Sequence, residues 1–326
     1  MKSIAPVFRQ INWKSAFNSL SRSSLIVYLI ALALVMSLTD HRKVRTRILN
    51  SSRIPLQYLV EYSEGFAEFD REKFKTYIDY YDYVIKYIHN ATEAYGILAY
   101  CHYQLGHEKK AKEYYREALK LNNQFFWFYY DLGLLEFKDG EYKSAVEHLE
   151  RAVSLPPMLT IDLLSNSRIL VDFGNYEETL INSRFTLMDL GKKIDSNLQA
   201  GYENSYALIA LSYLYLEDYE KLKEKTWLFL SYLKEDRDKY AQLFCYLAGR
   251  AYYHLGVYPE ALSFLKESAG IDSRHADTYY YTGLALKAVN EKELSHVAFT
   301  TAEALRKLNP KDIITDFVQE LKPRLF

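Results

Sequence analysis

One long apolar run stands out near the N-terminus. Residues 25–38 read LIVYLIALALVMSL, interrupted only by Tyr28 and Ser37. The 17 uncharged residues from Ser23 to Thr39 would form about 26 Å of helix at ~1.5 Å per residue. The hydrocarbon core of a bilayer is about 30 Å thick, so the run predicts a short transmembrane helix. The side chains predicted to lie in the membrane are Leu25, Ile26, Val27, Leu29, Ile30, Leu32, Leu34 and Val35.

Three interpretations compete for this segment. A cleaved signal peptide would need small residues at a cleavage site, and Ser37-Leu38-Thr39 is a poor match, after a leader (1–22) that is long for that role. A buried core helix is the second interpretation, but the pattern downstream is complete without it. An uncleaved single-span anchor over 23–39, followed by a basic stem over 40–57, is favoured. Basic residues flank both ends of the run, so the side of the membrane that holds the body is undetermined.

From residue 58 onward, apolar and small residues recur with a fixed period. A shift of 34 residues superimposes Tyr95-x2-Leu98-Ala99 on Tyr129-x2-Leu132-Gly133. The same shift relates Gly106 to Gly140, Ala111 to Ala145, Ala118 to Ala152, Gly249 to Gly283, and Leu265 to Phe299. Self-similarity at such a period is typical of a helical repeat array.

This pattern resembles the tetratricopeptide repeat, a helix–turn–helix unit of about 34 residues. The resemblance implies an all-α fold, a right-handed superhelical solenoid of paired helices, here with an N-terminal transmembrane helix. It covers seven units over residues 58–309, with 160–193 and 203–236 degenerate. The predicted units are 58–91, 92–125, 126–159, 160–193, 203–236, 242–275 and 276–309.

The spacing has a physical reason. Small residues at positions 8, 20 and 27 of each unit let two helices approach closely, while larger residues fill the gaps between them. Glycine at position 15 ends the first helix in a conformation that other residues adopt at a cost. Because a single unit cannot bury its apolar face, the array needs caps at its ends. Residues 310–326 are predicted to form a C-terminal capping helix, with an apolar stripe of Ile313, Ile314, Phe317 and Leu321.

The resemblance also implies where a ligand binds. Proteins of this family hold peptides or protein segments along the concave face made by the first helices, where positions 5, 9 and 12 share one side. The candidate groove residues are Tyr100, Trp127, Tyr130, Leu134, Arg168, Tyr246, Arg250 and Tyr280. Arg168 and Arg250 are expected to clamp a carboxylate or a carbonyl. The alternative, that the aromatic side chains pack between units and that Trp127 seals a junction, remains open.

Charge and composition narrow the class of partner. The 326-residue chain has a formal net charge of −1, which argues against a protein that coats nucleic acid. Residues 1–57 contain nine basic residues and one acidic residue, while the rest contains 32 basic and 41 acidic residues. The basic stem suits anionic lipid headgroups, and the acidic body should avoid polyanions.

The chain lacks the sequence motifs of common enzyme classes. It has no Gly-rich phosphate loop, no GxSxG and no HExxH, and its eight His residues do not show metal-ligand spacing. We therefore expect no catalytic residues, cofactor or metal. The leading hypothesis is a membrane-tethered scaffold that binds a protein or peptide partner in its groove. The alternative is an assembly or targeting factor that captures extended client segments at a membrane. The oligomeric state is undetermined.

Overall fold

The computed structural model describes residues 71–87, 92–155, 187–232 and 238–323. Contacts divide the chain into two compact units, Met1–Pro55 and Leu56–Phe326, and every described residue belongs to the second. Regular secondary structure within the described ranges is helical. The helices are α1 (Arg71–Tyr87), α2 (Thr92–Gln104), α3 (Glu108–Leu121), α4 (Phe126–Lys138), α5 (Tyr142–Ser154), α6 (Leu187–Tyr215), α7 (Tyr219–Tyr232), α8 (Asp238–His254), α9 (Tyr258–Ile271), α10 (Ala276–Ala288), α11 (Lys292–Leu308) and α12 (Ile313–Gln319).

The predicted leader, transmembrane segment and stem all lie outside the described residues. None of the helices in the described ranges has the length and apolar character needed to cross a membrane.

Ten of these helices form five pairs: α2 with α3, α4 with α5, α6 with α7, α8 with α9, and α10 with α11. Three residues connect the helices of every pair, so the partners run antiparallel. Helices α2 and α4 begin 34 residues apart, as do α3 and α5, and also α9 and α11. The all-α repeat predicted from the sequence is therefore confirmed for these residues.

The five connections between paired helices share one backbone conformation. The middle residue of each connection has a positive φ, and glycine occupies it in three cases: Gly106 (80°), Gly140 (78°) and Gly256 (77°). Asn290 (67°) and Glu217 (56°) take the same place in the other two. The next residue donates its N–H to the carbonyl five positions earlier, as His107 does to His102 at 2.8 Å. These are features of the Schellman motif, which confirms the role predicted for the glycines.

Small residues set the distance between paired helices. A Cβ atom added at Gly133 would lie 2.6 Å from Leu149 Cγ, and one added at Gly283 would lie 2.8 Å from a ring carbon of Phe299. Small residues of the second helices are buried on the facing side: Ala111, Ala118, Ala145, Ala152, Ala261, Ser268, Ser295 and Ala302. The predicted close approach of the two backbones is confirmed.

Successive pairs pack on one another. Helix α1 packs on α2, α3 on α4, α5 on α6, α7 on α8, and α9 on α10. Helix α6 also contacts α4 and α8, so the first helices of neighbouring pairs meet directly. The degenerate unit predicted at 160–193 falls mostly outside the described residues, and its last seven residues belong to α6.

Helix α12 has the predicted amphipathic character, and its apolar stripe packs on the first helices. Ile313, Ile314, Phe317 and Leu321 are buried, and they join the same apolar cluster as side chains of α4, α6 and α8. The outer face of α11 instead keeps Leu294 and Val297 exposed, at 55% and 60%. Because apolar burial has no preferred direction, the stripe packs where the larger apolar surface is available, on the first helices.

Candidate protein-binding surface

The predicted groove residues divide into buried and accessible sets. Arg250 is half-buried and Tyr280 is 39% exposed, while Arg168 lies outside the described residues. The other five side chains are buried, which corrects the expectation of an exposed aromatic row: Tyr100, Trp127, Tyr130, Leu134 and Tyr246.

Each buried side chain has an identifiable covering. The Tyr100 ring lies 6.4 Å from that of Phe74, so α1 covers this part of α2. Trp127 packs edge-on against Tyr130 at 5.5 Å. A Cβ atom at Gly201 of α6 would lie 2.7 Å from the Trp127 ring. Trp127 therefore seals a junction between neighbouring pairs, the alternative that the sequence left open.

Tyr130, Leu134 and Tyr246 are buried in one apolar cluster that also contains the apolar stripe of α12. The Tyr130 ring lies 6.1 Å from that of Phe126, and its hydroxyl accepts a 3.4 Å hydrogen bond from Asn204 of α6. The Tyr246 ring packs edge-on against that of Tyr281 of α10, with centroids 6.0 Å apart.

Arg250 is the centre of an aromatic cluster on α8, α10 and the start of α7. Its guanidinium carbon lies 4.5 Å from the ring centroid of Tyr281 and 5.7 Å from that of Tyr246. His254 stacks on Tyr219 at 4.1 Å, with an angle of 6° between the rings. We call Tyr219, Tyr246, Arg250, His254 and Tyr281 the Arg250 cluster. Positions 246, 250 and 254 are four residues apart, so a helix places them on one side.

Aromatic rings contact the Arg250 guanidinium directly, whereas the Asp277 carboxylate acts on its charge from beyond ion-pair distance. Within the described part of the chain, no carboxylate oxygen lies within ion-pair distance of its guanidinium. Its buried Nε has no hydrogen-bond partner there. Cation–π contacts hold a guanidinium in place while leaving N–H donors available.

Burial and the Arg250 charge act together on neighbouring groups. Burial lowers the pKa of His254, and the Arg250 charge lowers it further, so this imidazole remains neutral near pH 7. Burial raises the pKa of Asp277, as does Asp312 of the α12 segment, while Arg306 and Arg250 lower it. The cluster thus presents one cation among neutral rings, which suits an anionic or carbonyl group of a ligand.

Helix α12 reaches several first helices. Lys138 Nζ at the end of α4 donates to the Leu321 carbonyl at 2.9 Å. The Phe317 ring lies 5.9 Å from that of Tyr240 at the start of α8. Burial raises the pKa of Tyr215 at the end of α6, and Tyr142 and Asp312 raise it further, which places Asp312 near this helix end. We call the surface of α4, α6, α8 and the start of α10 that α12 covers the first-helix face.

A cavity of about 590 Å³ remains beside α12. Its lining from the repeat array is Gln242, Leu243, Ile271, Asp272, Arg274 and His275, and its lining from α12 is Ile313, Asp316, Phe317 and Glu320. Arg274 and Asp272 form an ion pair at 2.6 Å. Hydrogen bonds from Arg274 lower the pKa of the Asp272 carboxyl to about 2.

Sequence reasoning missed Tyr281, Lys138 and the position of α12. Tyr281 follows Tyr280 directly, but the two side chains leave the helix in different directions, and Tyr281 points to Arg250. The apolar stripe of α12 was visible in the sequence, but its neighbours along the first helices were not.

The described residues offer no evident site for redox or metal chemistry. Within them, no group of three His, Cys, Asp or Glu side chains could hold a metal ion. Cys101 and Cys245 are free and buried. Burial raises the pKa of Cys101 and also raises that of Cys245, to about 12, so both remain protonated and poorly nucleophilic.

The sequence model of the tetratricopeptide repeat family matches residues 92–125 and 128–157. The two matched segments make up 64 of the 326 residues. They correspond to the pairs α2–α3 and α4–α5, which carry Gly106 and Gly140 in their connections. Tetratricopeptide repeats act in general as protein-interaction modules. No curated protein sequence matches the chain.

Solved structures of low sequence identity resemble the chain. YrrB, a tetratricopeptide repeat protein with an unusual peptide-binding site, is 15% identical over 74% of this chain and 98% of its own, with a TM-score of 0.48. PilW, a widely conserved type IV pilus biogenesis factor, is 12% identical over 82% of this chain and 97% of its own, also at 0.48. PilF of Pseudomonas aeruginosa is 16% identical over 85% of this chain and 99% of its own, with a TM-score of 0.46. At these values no role of these proteins is transferred to this chain.

Proposed function

We propose that the chain is a membrane-tethered scaffold that binds a partner polypeptide on the side of the array formed by its first helices. The observation that carries the proposal is Arg250, a guanidinium held by the rings of Tyr246 and Tyr281 and without a carboxylate partner among the described residues. The family match at residues 92–125 and 128–157 supports the class of role. In this proposal the chain performs no catalytic step.

The proposed tether is the apolar segment 23–39. A helix of this length and composition anchors a protein stably, and anchoring raises the local concentration of whatever the repeats bind. Removing residues 1–39 is expected to move the protein from the membrane fraction to the soluble fraction without changing its helical circular dichroism. Retention of the shortened protein in the membrane fraction would contradict the tether.

Crosslinking of the full-length protein in its native membrane, followed by mass spectrometry, would identify the partner. The affinity of that partner for the wild-type chain should then be compared with its affinity for Arg250→Ala and Arg151→Ala. Arg151 is an exposed arginine on α5, a second helix, so its loss removes the same charge outside the Arg250 cluster. Hydrogen bonds to charged groups contribute ~1.5–3 kcal/mol, so Arg250→Ala should weaken binding about tenfold or more.

The outcomes separate the proposal from its alternatives. Equal affinities of wild type and Arg250→Ala would exclude the cluster as the binding site. A single folded partner supports the scaffold, whereas displacement of the partner by unrelated unfolded peptides would favour a factor that captures extended client segments. If no polypeptide is crosslinked to the repeats, the proposed function is wrong.

A further inference from the structure

The first-helix face is covered by a segment of the same chain. Its apolar contacts come from Ile313, Ile314, Phe317 and Leu321, which lie at i, i+1, i+4 and i+8. Acidic residues border this apolar stripe, at Asp316 and Glu320, and line the same cavity as Ile313 and Phe317. In this position α12 has the composition and location of a bound amphipathic peptide.

We propose that the first-helix face is the partner-binding surface and that the partner presents a short, acidic amphipathic helix with the apolar spacing of α12, which displaces α12. This inference rests on the function proposed above and adds the chemistry of the partner. The occupant α12 is the template for that chemistry, because it shows which side chains this surface accepts.

The polar contacts of α12 favour an acidic ligand. The Asp316 charge acts favourably on Arg274, which lines the same cavity. The start of α12 does not share this attraction, because Asp312 lies near Asp277, a carboxylate that repels it and that pairs with Arg306 at 3.3 Å. Lys138 contacts the backbone carbonyl of Leu321, a group that any peptide supplies. The surface therefore selects apolar side chains along the stripe and a negative charge beside Arg274, rather than one particular sequence.

Two features make α12 replaceable. It has only seven helical residues, and helices shorter than about 12 residues are marginal on their own. The cavity of about 590 Å³ beside it is open to solvent, so α12 leaves part of the groove unfilled. A longer helix, or one with larger side chains, can fill this space and contact surface that α12 leaves unused.

A peptide competition measures the displacement directly. The probe is a fluorescent peptide of residues 309–323, whose anisotropy reports binding to full-length protein. In the wild-type chain the tethered α12 competes at an effective concentration of about millimolar. The double variant Ile314→Ala/Phe317→Ala weakens the internal ligand only, and Gln319→Ala changes an exposed residue of the same helix as its control.

We expect the probe to bind the double variant at least about tenfold more tightly than it binds the wild type or Gln319→Ala. A Phe317→Ala version of the peptide should bind more weakly to all three. Equal binding of the probe to all three proteins would overturn the inference, and so would no binding to a double variant that retains its helical circular dichroism.

Hydrogen exchange on the wild-type chain supplies a second measurement that needs no variant. Amides of residues 313–319 should exchange faster than those of α8, and excess probe peptide should speed their exchange further. Protection of α12 equal to that of α8 would show a permanent core element and would overturn the inference. A partner that requires Arg250 but ignores the α12 substitutions would refute this inference while leaving the proposed function intact.

Discussion

The contact between α8 and α9 at Gly249 tests how the repeats are built. A Cβ atom at this position would lie 2.6 Å from Leu265 Cγ and 2.8 Å from Leu265 Cδ2. It would also lie 3.4 Å from the carbonyl oxygen of Ala261. Gly249→Ala therefore requires Leu265 to leave its place or α9 to move outward.

The expected change in the unfolding free energy of Gly249→Ala is the balance of a packing cost and a gain in helix propensity. Adding a methyl group to a packed core costs ~1–3 kcal/mol. Alanine is favoured over glycine inside a helix by about 1 kcal/mol. The net loss of unfolding free energy should be up to about 2 kcal/mol. Gly270→Ala is the matched control, because it makes the same chemical change in α9 with no atom within 4 Å of the new Cβ.

Urea unfolding followed by circular dichroism, on the full-length chain in detergent, measures both variants. Gly270→Ala should raise the midpoint and Gly249→Ala should lower it. Leu265→Ala alone should cost ~2–5 kcal/mol. In Gly249→Ala/Leu265→Ala the added methyl group partly fills the space left by Leu265, so the double variant should lose less than the sum. If Gly249→Ala stabilises the protein as much as Gly270→Ala does, the close approach of these helices is refuted.

Two further predictions concern pH and the helix connections. Burial lowers the pKa of His102 to about 4, and the nearby Lys110 and His107 contribute to the shift. In the unfolded chain this imidazole keeps its ordinary pKa of about 6.5. Below about pH 6.5 the unfolded chain therefore takes up a proton that the folded chain does not. The free energy of unfolding should fall by roughly 1–2 kcal/mol between about pH 7.5 and pH 5. In urea titrations at several pH values, His102→Phe should remove this part of the pH dependence. An unchanged pH dependence would exclude His102 as its source. Glu217 has a positive φ of 56°, which glycine adopts without strain, so Glu217→Gly should raise the free energy of unfolding by about 0.5–1 kcal/mol. Gly256 has a positive φ of 77°, so Gly256→Ala should lower the free energy of unfolding by about 1 kcal/mol. A loss of stability in Glu217→Gly would contradict the strain assigned to this residue.

Much of the repeat architecture could be predicted from local sequence. Gly106, Gly140 and Gly256 recur at the turn because only a residue without Cβ adopts a positive φ freely. Gly133 and Gly249 recur inside first helices because a facing leucine leaves no room for a methyl group. Each of these constraints acts within one unit, so the period of the sequence reveals it.

The covering of the first helices could not be predicted in the same way. Periodicity shows that Tyr130 and Tyr246 face the same side, but it does not show what covers that side. Likewise, the stripe containing Phe317 predicts an amphipathic helix without naming its neighbour, and Lys138, which binds the end of that segment, precedes Leu321 by 183 residues. Such contacts depend on how the whole array brings distant segments together.

Covering the first-helix face with α12 has a consequence for affinity. An exposed apolar surface would favour nonspecific association, and α12 removes part of the first-helix face from water, beside Tyr240 and Leu243. A partner then binds with an apparent affinity reduced by the fraction of open chains. Under the proposed function, the membrane anchor raises the local concentration of partners on the same membrane and offsets this reduction. A partner on that membrane is therefore bound in preference to a polypeptide of equal intrinsic affinity that is free in solution.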